Sequence, residues 1–313
     1  MSEEQIEDLP GVGKKTAEDL KENGFHDVMR IAAASEGEIT GRTSLGETKA
    51  RNIIAAAREA MDMSFKSGLD VEKTKSTAAK ITTTCEGLDE LLGGGVETQS
   101  LTEVYGEYGT GKSQMAFQLS VNVQLDEDDG GLGKGCLYID TESTFVPSRV
   151  RQIAEAAGMD GDEVLDNIQV AKAYNSDHQM LLVDDADNLL TENDIGLVVV
   201  DSVTGAFRAD YTGRGSLAER QQKLNRHLGD LQRIANVYNV AVFVTNQVLS
   251  DPSQQWGDPT KASGGHVLHH ATSTRMYLRR GKQGSRVCKL VDSPSQPEGE
   301  QPFQITENGI EDW

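Results

Sequence analysis

The run Gly106-Glu107-Tyr108-Gly109-Thr110-Gly111-Lys112-Ser113 constrains this chain more than any other stretch, because it satisfies G-x-x-x-x-G-K-[S/T] at every fixed position. The pattern requires a strand before it and a helix after it. Ser100–Tyr105 reads as the strand, and Gln114 to Leu119 continues as the helix. Gly106, Gly109 and Gly111 let the backbone curl so that its N–H groups and the helix N-terminus face phosphate oxygens. Lys112 would neutralise phosphate charge and Ser113 would reach a magnesium ion, while Glu107, Tyr108, Thr110 and Gln114 complete the cradle. The sequence therefore predicts a nucleoside-triphosphate site.

Three further apolar runs place polar groups where such a site needs them. Leu197-Val198-Val199-Val200-Asp201 has the pattern of a buried parallel strand, which would deliver Asp201 to the sheet edge beside the phosphate loop. There it would hold the magnesium ion through water, with Ser113 as the direct ligand. Cys136 to Asp140 reads as another such strand and leads into Thr141-Glu142. Hydrolysis needs a group that orients a water and accepts its proton, so Glu142 is the candidate catalytic residue and Asp140 the second choice. A fourth strand, Val240 to Thr245, ends in Asn246-Gln247, amides placed to sense a γ-phosphate.

The chain has 313 residues, enough for a small module and a large domain. Residues 1–60 read as helical, 61–80 as a polar Lys/Ser/Thr-rich linker, and 81–313 as alternating strands and helices. No apolar run reaches the length of a membrane span, and the acidic start lacks the features of a signal peptide, so a soluble, intracellular protein is expected. Cys85, Cys136 and Cys288 are widely spaced and form no metal or disulfide pattern. The net charge of −20, from 50 acidic and 30 basic residues, opposes nucleic-acid binding on average and suits a salt-rich cytoplasm. Local basic stripes stand against that average: Arg208, Arg214, Arg220, Lys223, Arg226 and Arg233, then Arg275, Arg279, Arg280, Lys282, Arg286 and Lys289.

Leu9-Pro10-Gly11-Val12-Gly13-Lys14-Lys15-Thr16-Ala17 reads as a helix-hairpin-helix core, whose Gly-Val-Gly turn would offer backbone N–H groups to a DNA phosphate beside Lys14. Ser44 to Ala50 is a weaker copy, with Glu47 where a basic residue would be expected.

Taken together, these segments resemble the archaeal RadA-type recombinases of the RecA superfamily. The resemblance is carried by LGGGVETQSLTEVYGEYGTGKSQ (92–114), YIDTESTFVPSR (138–149), VVVDSVTGAFRADYTGRGSLAERQQKL (198–224), VFVTNQV (242–248) and GGHVLHHATSTRMYLRR (264–280). It implies a RecA-like α/β core with a doubly wound, mostly parallel sheet, joined to a small all-α helix-hairpin-helix domain. It implies an ATPase that forms filaments on single-stranded DNA and exchanges strands with a duplex, acting in the cytoplasm at the nucleoid. ATP and Mg2+ would be its cofactors, with K+ at the ATP cap. Its partners would be single- and double-stranded DNA, copies of itself in a helical filament or ring, and recombination mediators. A non-exchanging paralogue and a closed ATPase ring remain alternative readings.

By the same resemblance Arg149 packs over the adenine, Gln247 and His270 link the γ-phosphate to the DNA loops, and Asp292 with Pro294 caps the neighbouring subunit's ATP. The first DNA loop spans Arg208 to Gly215, with Arg208 and Arg214 for phosphates and Tyr211 as an aromatic face. The second spans Leu249 to Ser263 and holds Trp256 and Lys261. Phe65-Lys66-Ser67-Gly68 matches the F-x-x-A polymerisation motif, with Gly68 in place of the usual Ala. Ser143, Val146 and Ser148 stand where the family more often has charged residues.

Overall fold

Consecutive residues of the apolar runs bury opposite faces, and that alternation sets the architecture. Leu197 and Val199 pack into one hydrophobic cluster and Val198 and Val200 into another, just as Cys136 and Tyr138 separate from Leu137 and Ile139. A strand buried on both sides needs helices above and below it, which is a doubly wound sheet. The structure is a computed structural model describing residues 5–75, 77–213, 215–250 and 260–313.

The chain divides into two units, Met1–Thr77 and Ala78–Trp313. In the first, the regular elements described are helical: α1 (Lys14–Glu22), α2 (Val28–Ala32), α3 (Glu36–Arg42), α4 (Glu47–Ala60) and α5 (Gly68–Lys75), after a short turn of 3₁₀ helix. Asp27 and Ser35 cap α2 and α3 by accepting from the backbone N–H groups of Arg30 and Glu38. Leu20, Phe25, Ile31, Ile39 and Ile53 form the centre of a separate core. The stretch read as linker contains α5, and Phe65 lies in the non-helical residues before it.

The second unit begins with a small ribbon of β1 (Lys80–Ile81) and β2 (Val96–Glu97) around α6 (Glu86–Leu92). Then come β3 (Ser100–Gly106), α7 (Lys112–Asn122), β4 (Gly135–Asp140), α8 (Pro147–Ala156), α9 (Gly161–Asp166), β5 (Ile168–Lys172), α10 (Ser176–Glu192) and β6 (Ile195–Asp201). The rest is α11 (Gly205–Asp210), α12 (Leu217–Tyr238), β7 (Ala241–Ser250), β8 (Thr260–Ala262), α13 (Gly265–Ala271), β9 (Thr274–Arg280), β10 (Arg286–Asp292), β11 (Gly299–Thr306) and β12 (Gly309–Asp312). The sheet order is β12-β11-β10-β9-β3-β7-β6-β4-β5. Every neighbour from β9 through β5 is parallel, and β9 to β12 close the other side as antiparallel hairpins. The RecA-like core with its small all-α domain is thus realised.

Helices α7 and α8 cover one face of the sheet, and α10, α12 and α13 the other; on α12, Leu224, Leu228, Leu231 and Ile234 keep a helical stripe against the strands. The three cysteines are free and buried, and burial raises each thiol to about 12, as suits core residues. No helix among the described residues is long and apolar enough to cross a membrane.

Candidate active site

Parallel pairing brings the strand ends level, so the motifs converge at one edge. Gly106 on β3 lies opposite Gln247 on β7, and Asp140 on β4 lies opposite Asp201 on β6. Between β3 and α7 the phosphate loop bends through Gly109 (φ +78°) and Gly111 (φ +108°), conformations that L side chains rarely adopt. Gly106 is required for space as well. A Cβ there would come 2.3 Å from the Leu278 carbonyl oxygen, and at Gly111 it would come 2.8 Å from Ile305 Cδ1. Gly111 caps α7 without a side-chain acceptor, which leaves the first N–H groups of the helix for an anion.

Lys112 Nζ donates to the carbonyl oxygens of Gly106 and Glu107, both at 2.9 Å, and thereby folds back over the loop. Burial lowers its pKa, opposed by Asp201 and then Glu142. The loop, Lys112, Ser113, Gln114, Glu142, Asp201 and Gln247 line one cleft of about 620 Å3. Tyr108 also lines it, but the residue is 96% exposed.

Asp201 is nearly buried. Its Oδ2 accepts from Tyr138 OH at 2.9 Å and Thr144 Oγ1 at 3.3 Å, and its Oδ1 accepts from Thr245 Oγ1. Burial raises the Tyr138 pKa well above its ordinary value, with Asp201 adding to the effect, so Tyr138 stays a donor. Asp201 and the Ser113 hydroxyl are hard oxygen donors on the same cleft, a set that fits a magnesium ion held largely by water and phosphate.

Glu142 faces the cleft on a short turn after β4. Its Oε1 accepts from Ser202 Oγ and from Gln247 Nε2, both at 2.6 Å. On its other side the Gln247 amide accepts from Arg208 Nη1 at 2.9 Å. Glu142, Gln247 and Arg208 thus form one hydrogen-bonded chain running from the nucleotide cleft onto α11.

Two sequence expectations are corrected here. Asp140, the second choice for the catalytic acid, accepts from the backbone N–H groups of Glu142, Thr144 and Phe145 at 3.1 Å each; it shapes the turn that carries Glu142. Asn246 senses no phosphate, because it is fully buried and hydrogen-bonded to Glu103, Thr204 and Ser263. Part of the basic stripes is also taken up by acids of this chain, two of the pairs, Arg233–Asp187 and Arg275–Glu103, in the interior and the others at the surface. Arg233 pairs with Asp187, Arg275 with Glu103, Lys223 with Asp177, Arg279 with Glu300, Arg226 with Asp230 and Lys289 with Glu298.

Other expected residues are placed as follows. Arg149 lies outside the lining of the cleft; its guanidinium edge donates to Gln114 Oε1, Gln152 Oε1 and the carbonyl oxygens of Thr306 and Glu307, which fixes the plane of the group. His270 is exposed on α13 beside His266 and His269, away from the cleft lining. Asp292 and Pro294 are exposed where β10 ends, and neither lines this chain's own cleft. Lys223 Nζ sits 5.2 Å over the Tyr211 ring, and Gly215 is exposed just before α12. Lys261 lies on β8, paired with β7, whereas Arg214 and Trp256 lie outside the described residues.

In the first unit Gly11 has φ +85° and Gly13 caps α1 with no side-chain acceptor, so the helix start beside Lys14 is open to an anion. The weaker hairpin copy differs, since Lys49 Nζ donates to Thr16 Oγ1 at 2.7 Å within the unit. Phe65 is 108% exposed, and a Cβ on Gly68 would meet nothing within 4 Å.

Sequence reasoning missed Tyr138, Thr144, Ser202 and Thr245, the hydroxyls that hold Asp201 and Glu142. Their only signal was closeness in sequence to Asp140, Asp201 and Gln247.

Fold and site together define a phosphate-loop ATPase with a RecA-like core. The Rad51 family model matches residues 74–313, and a SAM-like helix-hairpin-helix tandem model matches residues 3–59. The chain is 50% identical over 307 residues to the DNA repair and recombination protein RadA of Aeropyrum pernix, an overlap covering 98% of this chain and 96% of that protein. The chain belongs to the Rad51/RadA recombinase family.

Proposed function

We propose that this protein is an ATP-dependent DNA strand-exchange recombinase that assembles into helical filaments on single-stranded DNA in homologous recombination and repair. The observation that carries this reading is the chain Glu142–Gln247–Arg208, because it joins the hydrolytic carboxylate to the helix that leads into the first candidate DNA loop. A plain ATPase has no need of that bridge.

In this reading the loop N–H groups and Lys112 hold the phosphates, and Gln114 with the Arg149 plane borders the adenine. Glu142 orients the attacking water and accepts its proton. Ser113 and Asp201 would hold Mg2+, which supplies charge neutralisation at the phosphates. The Gln247 amide, shared between Glu142 and Arg208, responds to the γ-phosphate and hands that state to the loop. His270 joins Gln247 in linking the γ-phosphate to the DNA loops, while Asp292 and Pro294 act across a subunit boundary on the next chain's ATP, with K+ at that cap. Phe65 joins successive subunits, and mediators would act on that assembly.

The deciding experiment is strand exchange between homologous single- and double-stranded DNA with ATP and magnesium, over a salt series reaching molar potassium chloride. Wild type is expected to exchange, and Lys112→Ala to lose at least about 10²-fold of the rate, since an electrostatic stabiliser of developing phosphate charge is removed. DNA-stimulated hydrolysis without exchange at any salt would favour a non-exchanging paralogue.

The open start of α1 gives a second prediction. Replacing Lys14 and Lys15 together by glutamate should weaken duplex binding and reduce the slope of log affinity against log salt by about 2, one unit per lost phosphate contact. An unchanged slope in fluorescence anisotropy titrations would assign that hairpin a purely structural role.

A further inference from the structure

Under the nucleotide cleft, a line of buried polar side chains crosses the sheet between the flanks of the two candidate DNA loops. Its centre is Glu103, fully buried on β3 just ahead of the phosphate loop. Glu103 lies opposite Arg275 of β9, and its Oε2 accepts from Arg275 Nε at 2.6 Å. Its Oε1 accepts from Asn246 Nδ2 at 2.7 Å. Asn246 in turn accepts from Thr204 Oγ1 and donates to the Ser263 carbonyl, each at 2.7 Å. At the other end Arg275 Nη1 bonds His269 Nδ1. A guanidinium can only donate, so Nδ1 is the accepting nitrogen of that bond.

The ends of this line are what give it meaning. Thr204 is the residue on which α11 starts, and α11 carries Arg208. Ser263 closes the second loop segment, and His269 lies on α13 just after it. Burying a carboxylate and a guanidinium is costly unless nearly every polar atom finds a partner, and here the partners are drawn from β6–α11, β7, β9 and α13. A hydrophobic pair could fill the same volume but could not tie four elements to one point.

The geometry points to Glu103 as a positioning residue that holds both loop flanks in register with the phosphate loop, so that DNA contact on either loop reaches the nucleotide cleft. This inference rests on the DNA-loop reading above and goes beyond the Glu142–Gln247–Arg208 bridge, whose side-chain bonds reach only the first loop.

The test measures ATP turnover of the full chain with and without single-stranded DNA, alongside affinity for a fluorescent nucleotide and the thermal midpoint. Wild type must first show DNA stimulation; if it does not, the DNA reading itself fails, separately from this inference. Glu103→Gln keeps the shape but leaves an N–H facing one of its two donors, Arg275 Nε or Asn246 Nδ2. It is expected to hold DNA-free turnover and nucleotide affinity near wild type while DNA stimulation falls at least about fivefold, the lower end of ordinary coupling. Stimulation equal to wild type in a folded variant overturns the proposal, as does an equal loss of DNA-free turnover. Should Glu103→Gln not fold, the two ends decide. Thr204→Val removes only the bond to Asn246, because Thr204 makes no side-chain cap, and His269→Leu removes the Arg275 acceptor. If both act through Glu103, the double variant loses less stimulation than the product of the single losses; independent losses overturn the idea.

Discussion

Glu142→Gln is expected to lower ATP turnover by about 10²- to 10⁴-fold while nucleotide affinity stays close to wild type. The substitution preserves volume and an acceptor for Ser202 Oγ, so the turn after β4 should keep its shape. What it removes is the basicity that a bound water needs at that oxygen. Single-turnover phosphate release paired with equilibrium binding of a fluorescent nucleotide separates the two quantities. A loss smaller than about tenfold would take the proton-accepting role away from Glu142. Asp140 is no substitute, because its two oxygens already serve three backbone N–H groups. Since Gln247 Nε2 also bonds the replaced carboxylate, the variant should in addition blunt the response of hydrolysis to DNA.

The parts of this site that were legible in the sequence are those whose physics is local. Gly109 and Gly111 announce positive φ, and an apolar run ending in Asp201 announces a buried parallel strand. Strand alternation also implies that Asn246 and Gln247 face opposite ways, yet it cannot say which faces the cleft; only the register of β7 against β3 decides that. The basic stripes misled for a related reason. Arg233 finds its acid 46 residues away and Arg275 finds Glu103 at a distance of 172, so local charge density overstated what remains for DNA. Arg149 shows the extreme case, since two of its acceptors are the backbone carbonyls of Thr306 and Glu307, which carry no sequence signal.

Phe65→Glu is expected to abolish assembly while leaving both units folded. A phenylalanine ring that is 108% exposed contributes nothing to the core of its own chain, so its replacement should not move the thermal midpoint of either unit. Seated in a pocket of another subunit, the same ring would contribute about 2–3 kcal/mol to each joint, and a charge in its place would add a desolvation cost. Every joint of a filament is weakened alike, so the loss compounds along the polymer. Light scattering and electron microscopy with ATP and single-stranded DNA should show monomers at concentrations where wild type forms filaments. Gly68→Ala supplies the opposite control: with open space around the new methyl, it should strengthen assembly by about 1 kcal/mol or less. Catalysis provides the sharper criterion. Neither Asp292 nor Pro294 lines its own chain's cleft; if they cap a neighbour's ATP, as proposed above, the Phe65→Glu monomer should bind nucleotide but lose DNA-stimulated turnover. Full turnover by that monomer would mean that one chain completes the active site, and the coupling of assembly to hydrolysis would fall with it.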